Sequence, residues 1–274
     1  MRVTAIFVAP RLNALKPRTS HSPTFVFRTR LRVHGIFFDS GNTIYGFGQE
    51  QGDDPASGDV AAGGPQRAAA ALRWLGHEVT DDDVATHVTR LTRQGRQAGP
   101  AWTEETLVTG LFENLELQMR RDEIVYVTGV FSGPRYSSWL YPGIAATLEE
   151  LSRLGFFIGL IANTSVPGWV MDRNFRGVGL LQYLTVRVYS GDEGVEKPDP
   201  AIFRLAEQRS ELSPERLIYM GDKVEADMAG AEAAGWSSIL FRSVVDTSHD
   251  RADFEIDTWS QLPALLAGRV SCRR

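Results

Sequence analysis

Three acidic side chains and one basic side chain stand at positions where they could meet in one catalytic centre. Asp39 and Asp222 each end an apolar segment, and Asp227 follows five residues after Asp222. Lys197 stands just before a Pro-Asp-Pro turn. Clustered carboxylates repel one another unless a cation neutralises them, and Mg²⁺ prefers such hard oxygen ligands. A lysine beside them can stabilise a phosphoryl group while one carboxylate attacks phosphorus. The set therefore favours metal-assisted phosphoryl transfer.

Apolar segments that alternate with amphipathic ones predict an α/β fold with a doubly wound parallel sheet. The predicted strands cover residues 33–39, 156–162, 184–190, 217–222, 237–242 and 254–257. The second is almost wholly apolar, as expected for a strand that is buried on both faces. Because ligands in open α/β sheets bind outside the carboxyl ends of the strands, Asp39, Asp222 and the segment after Ala162 are expected at one edge.

Helical patterns fill the intervals between these strands, at residues 144–154, 200–208, 226–234 and 260–266. The long interval after the first strand has no parallel-strand pattern. Its residues 46–64 are rich in Gly and Asp and are predicted to form a loop, and helices are predicted at 65–75, 80–93 (with Thr80 as N-cap) and 103–119. We therefore predict a core of residues 33–45 and 141–274 and a separate helical domain of residues 46–140.

The composition excludes several classes of protein. With 43% hydrophobic and 23% charged residues among 274, the chain can build a sizeable core. A net charge of −5 and a pI near 5.6 argue against nucleic-acid binding, which needs a basic surface. The single cysteine, Cys272, excludes a disulfide framework or a cysteine-based zinc site. No apolar run reaches the roughly 18 residues that a membrane span needs. We expect a cytoplasmic protein that acts on a small molecule, with no nucleic-acid or membrane partner.

The first 32 residues differ from the rest, since they hold seven basic residues and no acidic residue. An Arg-rich, acid-poor segment is typical of a targeting arm. The apolar stretch 3–8 is short for a signal core, however, and no small-residue cleavage site follows it. We therefore expect residues 1–32 to form a disordered N-terminal extension.

Four motifs, taken in order, resemble a known family. They are DSGNT (39–43), the segment after residue 162, EKPDP (196–200) and GD at 221–222 with DMAGA at 227–231, and YPG (141–143) precedes the second strand. Together they resemble the haloacid dehalogenase-like (HAD) hydrolase superfamily, in the subgroup with a helical cap after the first strand. The resemblance covers roughly residues 33–268. It implies a Rossmann-like core with an inserted α-helical cap.

The resemblance also implies an activity, which is Mg²⁺-dependent hydrolysis of a small phosphorylated metabolite through an aspartyl-phosphate. Asp39 resembles the family's nucleophile, and Lys197 resembles the lysine that holds both the nucleophile and the phosphoryl group. Asn163 stands where a backbone amide meets the phosphoryl oxygens. The hydroxyl of the next residue, Thr164, is a further candidate for binding phosphate.

The metal site follows from the same resemblance. Asp39, Asp222 and Asp227 resemble the acidic ligands of Mg²⁺, and the main-chain carbonyl of Gly41 resembles the backbone ligand. No motif specifies the natural substrate or the oligomeric state.

Two positions depart from the family's phosphatases. Gly41 replaces a second Asp that acts as general acid/base, and Ala162 replaces a Ser or Thr in the second motif. General acid/base catalysis contributes about 10²- to 10⁴-fold, so we expect slow turnover. The departures leave two alternatives open: a catalytically degenerate binding or regulatory protein, and a 2-haloacid dehalogenase. The family's dehalogenases also lack the second Asp, but they usually lack the paired acids seen here at Asp222 and Asp227.

Purely structural interpretations compete with these assignments. An Asp after a strand often caps a turn or the next helix, and a lysine before a Pro-rich turn can simply be exposed. Arg90, Arg93 and Arg96 recur at helical spacing and could meet an anionic substrate, but such a stripe is usually a solvated helix face. The order and spacing of the four motifs favour the catalytic interpretation of the acids and of Lys197.

Overall fold

The computed structural model describes residues 33–48, 52–242 and 250–267. The side chain of Arg96 is not among the described parts. The predicted N-terminal extension, residues 1–32, and Cys272 lie outside the described residues.

A six-stranded sheet forms the centre of the structure, and every neighbouring pair of strands is parallel. Its order along the sheet is β3-β2-β1-β4-β5-β6. The strands are β1 (Gly35–Phe38), β2 (Phe157–Ala162), β3 (Val186–Tyr189), β4 (Leu217–Gly221), β5 (Ser237–Phe241) and β6 (Phe254–Ile256). All six predicted strands are confirmed, and each is slightly shorter than predicted. The first strand therefore lies between β2 and β4, which places the ends of those three strands next to one another.

Six of the described α-helices lie between β1 and β2 in the sequence, and the first five form a helical insertion. These five are α1 (Ser57–Ala62), α2 (Gly64–Trp74), α3 (Asp81–Ala98), α4 (Glu104–Asn114) and α5 (Arg121–Ser132). Their apolar side chains form a hydrophobic cluster of their own, which includes Leu72, Val84, Leu111 and Phe112. Thr80 and Thr103 accept backbone N–H bonds at the starts of α3 and α4, so both helices begin where capping chemistry predicts.

Parts of the prediction for this helical insertion are wrong. Helices α1 and α5 were not predicted, and α1 lies within the predicted loop 46–64. Helix α4 ends at Asn114 instead of at residue 119, because Glu116 takes a left-handed backbone (φ 53°) and Leu117 N–H returns to Phe112 O. No glycine marks this turn, so the sequence carried no stop signal there.

The remaining helices cover both faces of the sheet, which confirms the doubly wound α/β fold. They are α6 (Ile144–Arg153), α7 (Gly168–Gly177), the short α8 (Ser190–Glu193), α9 (Pro200–Ser210), α10 (Ala229–Ala234) and α11 (Leu262–Ala267). Helices α6, α7 and α11 pack on one face and α9 and α10 on the other. Helix α7 was not predicted. The predicted helix 226–234 is split into a π-helical turn, Val224–Met228, and α10. Among the described helices, none is long and apolar enough to cross a membrane.

The central strands alternate between the two faces. Ile36 and Phe38 face one hydrophobic cluster, and Phe37 faces the other. Phe37 lies over Gly159 of β2, where an added Cβ would come within 2.2 Å of the Phe37 ring. Glycine is therefore required at this position by packing, because the ring occupies the space that a side chain would take.

We predict that Gly159→Ala destabilises the protein by about 1–3 kcal/mol, since overpacking forces the Phe37 ring or the strand to move. Thermal or urea unfolding measures the change. Gly58→Ala is the matched control, because nothing lies within 4 Å of its Cβ position and alanine favours helix α1. Equal stability of the two variants would contradict this account of β1–β2 packing.

Candidate active site

The predicted site residues meet at the carboxyl edge of the sheet. Asp39 follows β1 directly and Asp222 follows β4. The Asp39 N–H donates to Met220 O at 2.9 Å, so the parallel pairing of β1 with β4 continues to the first acid. Lys197 reaches the same place from the segment between α8 and α9, 158 residues from Asp39 in the sequence. The sheet order therefore brings together residues that the sequence separates widely.

Lys197 is the central contact of the site. Its ammonium Nζ donates to Asp39 Oδ1 at 2.6 Å, to Tyr219 OH at 2.6 Å and to Asp227 Oδ1 at 2.7 Å, which uses all three of its N–H groups. The residue is only 4% exposed. Burial lowers the pKa of Lys197, but the charges of Asp227 and Asp39 outweigh burial and leave the pKa raised. The lysine is therefore held in its charged form.

Asp227 is fixed by two separate contacts. Its Oδ1 accepts from Lys197, and its Oδ2 accepts the Lys223 backbone N–H at 2.9 Å. The π-helical turn Val224–Met228 carries the residue towards the sheet. Gly221 permits this approach, since a Cβ there would come within 2.3 Å of Asp227 Oδ2. The predicted pairing of Asp222 with Asp227 thus depends on a glycine at the end of β4.

Asp222 completes a group of three buried carboxylates. Oxygens of Asp39, Asp222 and Asp227 all lie within 4.8 Å of one another. Asp222 Oδ1 is buried and has no hydrogen-bond partner in the described structure. Burial, with repulsion from Asp39 and Asp227, raises the pKa of Asp222 to about 7, and burial also raises the pKa of Asp39. One ammonium faces three carboxylates, and this orphaned oxygen and uncompensated charge fit a divalent cation.

Gly41 lies two residues after Asp39, in a tight loop. Ser40 O accepts the N–H groups of Ile44 and Tyr45, and Asn42 N–H donates to Tyr45 O. Among the described residues, no backbone N–H donates to the Gly41 carbonyl. The carbonyl that was predicted as a backbone metal ligand thus retains its acceptor capacity.

An aromatic ring, that of Phe47, lies close to Gly41. A Cβ at Gly41 would lie 3.3 Å from Phe47 Cε2, which is closer than an ordinary van der Waals contact. The Phe47 ring stacks parallel to Tyr45, with centroids 5.9 Å apart, and meets Trp139 edge-on. The Phe47 ring can therefore take this position because Gly41 has no side chain.

The loop after β2 contacts the site through Asn163. The Asn163 side chain makes two 2.8 Å hydrogen bonds with the Lys197 backbone, donating to its carbonyl and accepting its N–H. Thr164 Oγ1 accepts from Val166 N–H, and Thr164 N–H donates to Ser190 Oγ. Asn163 thus positions the lysine, while the Thr164 hydroxyl closes a local turn. Their binding of phosphate stays a prediction.

Two further residues belong to the site and were not predicted. Tyr219 of β4 accepts from Lys197 and donates to Ile161 O at 2.8 Å, which ties the lysine to the sheet. A hydroxyl inside an otherwise apolar strand was a signal that could have revealed it. Arg135, from the segment after α5, brings its Nη1 within 3.5 Å of Ser40 Oγ. No local pattern marks Arg135, because Ser40 lies 95 residues away in the sequence.

Two of the three arginines of the α3 stripe have described side chains, and both lie at the surface. Arg90 and Arg93 are exposed, and Arg90 donates to Asn114 Oδ1 of the same helical insertion. The described part of the stripe is a solvated face, in agreement with the expectation.

The fold and the site together define the class of protein. Residues 33–235 match the family model described as haloacid dehalogenase-like hydrolase. The chain belongs to this family.

Individual relatives are similar over part of their length. A glyceraldehyde 3-phosphate phosphatase of Methanopyrus kandleri is 33% identical over 124 residues, which is 43% of this chain and 52% of that protein. A phosphoserine phosphatase of Thermus thermophilus is 35% identical over 96 residues, which is 35% of this chain and 38% of that protein. The matches thus span about half or less of these relatives' own lengths.

Solved structures share the fold over most of the chain. A HAD phosphatase from Thermococcus onnurineus has a TM-score of 0.55 at 23% identity, with 87% of this chain and 100% of that chain covered. A 2-haloacid dehalogenase from Pseudomonas syringae has a TM-score of 0.59 at 23% identity, with 86% and 99% covered. At this level of identity the likeness shows the fold alone.

The raised pKa of Asp222 predicts how metal-free protein responds to pH. A carboxyl whose folded pKa lies above its unfolded value of 3.8 stabilises the fold while protonated, and this contribution is lost as pH rises towards and past about 7. In a chelator above pH 7, we therefore expect Asp222→Asn to raise the melting temperature by about 2–4 °C, which corresponds to about 1 kcal/mol. Near pH 4 the variant and wild type should melt alike.

Added Mg²⁺ should make the wild type melt at a higher temperature than Asp222→Asn. It should raise the melting temperature of the wild type but not of Asp222→Asn. The exposed Asp122→Asn of α5 is the control, and it should follow the wild type in both conditions. A wild type that Mg²⁺ does not stabilise at any pH would contradict the metal-site assignment.

Proposed function

We propose that this protein is a Mg²⁺-dependent phosphatase that hydrolyses a small phosphorylated metabolite, with Asp39 as the nucleophile. The observation that carries the proposal is the buried Lys197 ammonium, which bonds to both Asp39 and Asp227 beside the orphaned Asp222 oxygen. Family membership and the phosphatase names of its relatives support the same chemistry.

Asp39 and Lys197 carry the first step of this proposal. Lys197 holds Asp39 Oδ1, which leaves Oδ2 to attack phosphorus. The new Oδ2–P bond replaces the ester P–O bond, and the departing alkoxide takes a proton from water. The Lys197 ammonium stabilises negative charge on the phosphoryl oxygens. A water molecule then attacks the aspartyl-phosphate, which releases phosphate and restores the Asp39 carboxylate.

The carboxylates of Asp39, Asp222 and Asp227, with the Gly41 carbonyl, would hold the Mg²⁺. When bound, the ion supplies positive charge that neutralises the phosphoryl oxygens in the transition state. Asp222 carries no hydrogen-bond partner at Oδ1, so this oxygen is available as a ligand. The two hydrogen bonds between the Asn163 side chain and the Lys197 backbone hold the lysine next to these acids.

The helical insertion is proposed to act as a cap over this edge, with residues 46–140 as its extent. Its α4 touches the core beside the site, since Glu104 N–H donates to Ser165 O at 2.8 Å in the loop after β2. A cap in this position would exclude water and select the substrate.

The alternatives suggested by Gly41 and Ala162 receive less support. A degenerate binding protein has no need for a buried ammonium shared by two carboxylates, an arrangement that is costly to desolvate. A dehalogenase that acts without metal leaves the repulsion within the three acids uncompensated. Halide release from a 2-haloacid without metal would nevertheless establish the second alternative.

Asp39→Asn tests the nucleophile. The wild type with Mg²⁺ should hydrolyse p-nitrophenyl phosphate, and Asp39→Asn should lose at least about 10³-fold in kcat, since the amide cannot form the acyl phosphate. Chelation by EDTA should abolish wild-type turnover, and added Mg²⁺ should restore it. The exposed Asp122→Asn should retain full activity. If the wild type and Asp39→Asn are equally inert, the protein is a non-enzymatic relative.

The Gly41–Phe47 contact predicts how a general acid can be restored. Gly41→Asp alone should change kcat little, because its side chain meets the Phe47 ring. Gly41→Asp combined with Phe47→Leu should raise kcat on an alkyl phosphate such as glycerol 3-phosphate by about tenfold or more. The gain on p-nitrophenyl phosphate should be small, because its leaving group needs no proton.

The matched control is Gly41→Asn with Phe47→Leu, which has the same shape but no proton to give. This control should not gain activity. An equal gain in the Asn and Asp double variants would show that the effect is steric and not acid catalysis.

A further inference from the structure

Arg135 is a half-buried cation that lies beside the loop of Asp39 and Ser40. It follows α5, and its guanidinium carbon lies 4.7 Å from the centroid of the Tyr45 ring and 5.1 Å from that of Phe47. Its Nη1 lies 3.5 Å from Ser40 Oγ, on the residue next to Asp39. Stacking on two rings therefore holds the guanidinium in place without using its N–H groups.

Among the described residues, Arg135 uses almost none of its hydrogen-bonding capacity. A guanidinium offers five N–H donors, and the 3.5 Å contact with Ser40 is at the limit of a hydrogen bond. Within the described residues Arg135 forms no ion pair. The charge of Glu104 acts on the Arg135 guanidinium, as do Tyr45, Tyr189 and Asp39. The Glu104 carboxylate, however, accepts a hydrogen bond from Ser132 Oγ and not from Arg135. A half-buried arginine with free donors is suited to an anion that is not part of the protein.

Arg135 also lines a cavity of about 430 Å³ between the helical insertion and α7. Two more arginines, Arg67 and Arg173, line the same cavity, and no acidic side chain does. Both donate to carbonyls at the end of α5, namely Val130 and Phe131 for Arg67 and Gly129 and Gly133 for Arg173. These bonds fix the two arginines but leave their charge in place, so Arg135 lies in a positively charged surrounding with no acidic side chain in the cavity lining.

We propose that Arg135 binds a second anionic group of the substrate while the phosphoryl group lies at Asp39 and Lys197. The substrate is then a compact phosphate monoester that also carries a carboxylate or a second phosphate. The two anionic groups lie only a few bonds apart, because Arg135 contacts the residue adjacent to the nucleophile. This inference rests on the phosphatase function proposed above. Arg135 acts as a specificity-determining residue, since it contacts a part of the substrate that does not react.

Matched substrates test this inference. One pair is 3-phosphoglycerate and glycerol 3-phosphate, which differ in a carboxylate; the other is propane-1,3-diol bisphosphate and the corresponding monophosphate. We expect the wild type to favour the doubly anionic member of at least one pair by about 10- to 100-fold in kcat/KM, as for charge-assisted hydrogen bonds. The pair that responds identifies the second group as carboxylate or phosphate.

Variants at Arg135 assign the preference to this residue. Arg135→Gln should abolish the preference, mainly through KM for the doubly anionic member. Arg135→Lys, which keeps the charge but loses the planar fork, should reduce the preference at least severalfold and remains informative if the Gln variant does not fold. Arg93→Gln, an exposed arginine of α3, is the matched control and should keep the wild-type preference.

The outcomes separate this inference from the proposed function. If the wild type hydrolyses p-nitrophenyl phosphate but treats both members of each pair alike, or if the Arg135 variants keep the preference, the inference is wrong and the phosphatase function stands. If no phosphate is released from any substrate, the phosphatase function is wrong. Calorimetric binding of 3-phosphoglycerate and of the bisphosphate then decides the inference: loss of binding in Arg135→Gln supports the anion site, and equal or absent binding overturns it.

Discussion

The arrangement of the site depends on one buried ammonium group. Lys197 is removed from water, so each of its three N–H groups must find an acceptor inside the protein. It finds Asp39 at the end of β1, Asp227 in the turn after β4 and Tyr219 within β4. The lysine thereby fixes Asp39 relative to Asp227. It also keeps Asp39 and Asp227 close together although their charges repel.

The same charge balance accounts for the remaining acid. One ammonium cannot neutralise three carboxylates that lie within 4.8 Å of one another, and the surplus falls on Asp222. Burial, together with repulsion from Asp39 and Asp227, raises the pKa of Asp222, and its Oδ1 has no hydrogen-bond partner in the described structure. The residues that would bind a cation are therefore also those that destabilise the fold without one, which is a common cost of a preorganised active site.

Gly41 and Arg135 are connected through the Phe47 ring. Gly41 leaves room for the Phe47 ring, and Phe47 stacks with Tyr45 to form the surface on which Arg135 lies. In the proposed mechanism, Gly41 supplies no proton to the leaving group, while the ring beside it supports the Arg135 guanidinium.

The sequence alone determined the strands of the sheet, because these follow from local patterns. It also identified the acids and the lysine that come together at the edge of the sheet. Apolar segments that end in Asp39 and Asp222 specify strands whose ends converge, and the EKPDP segment marks Lys197. Helices α1, α5 and α7, the early end of α4 and the roles of Tyr219, Asn163 and Arg135 were decided only by the tertiary structure. Arg135 meets Ser40 across 95 residues, and Asn163 meets Lys197 across 34. Such contacts depend on how separate segments pack against one another, and no pattern within either segment encodes them.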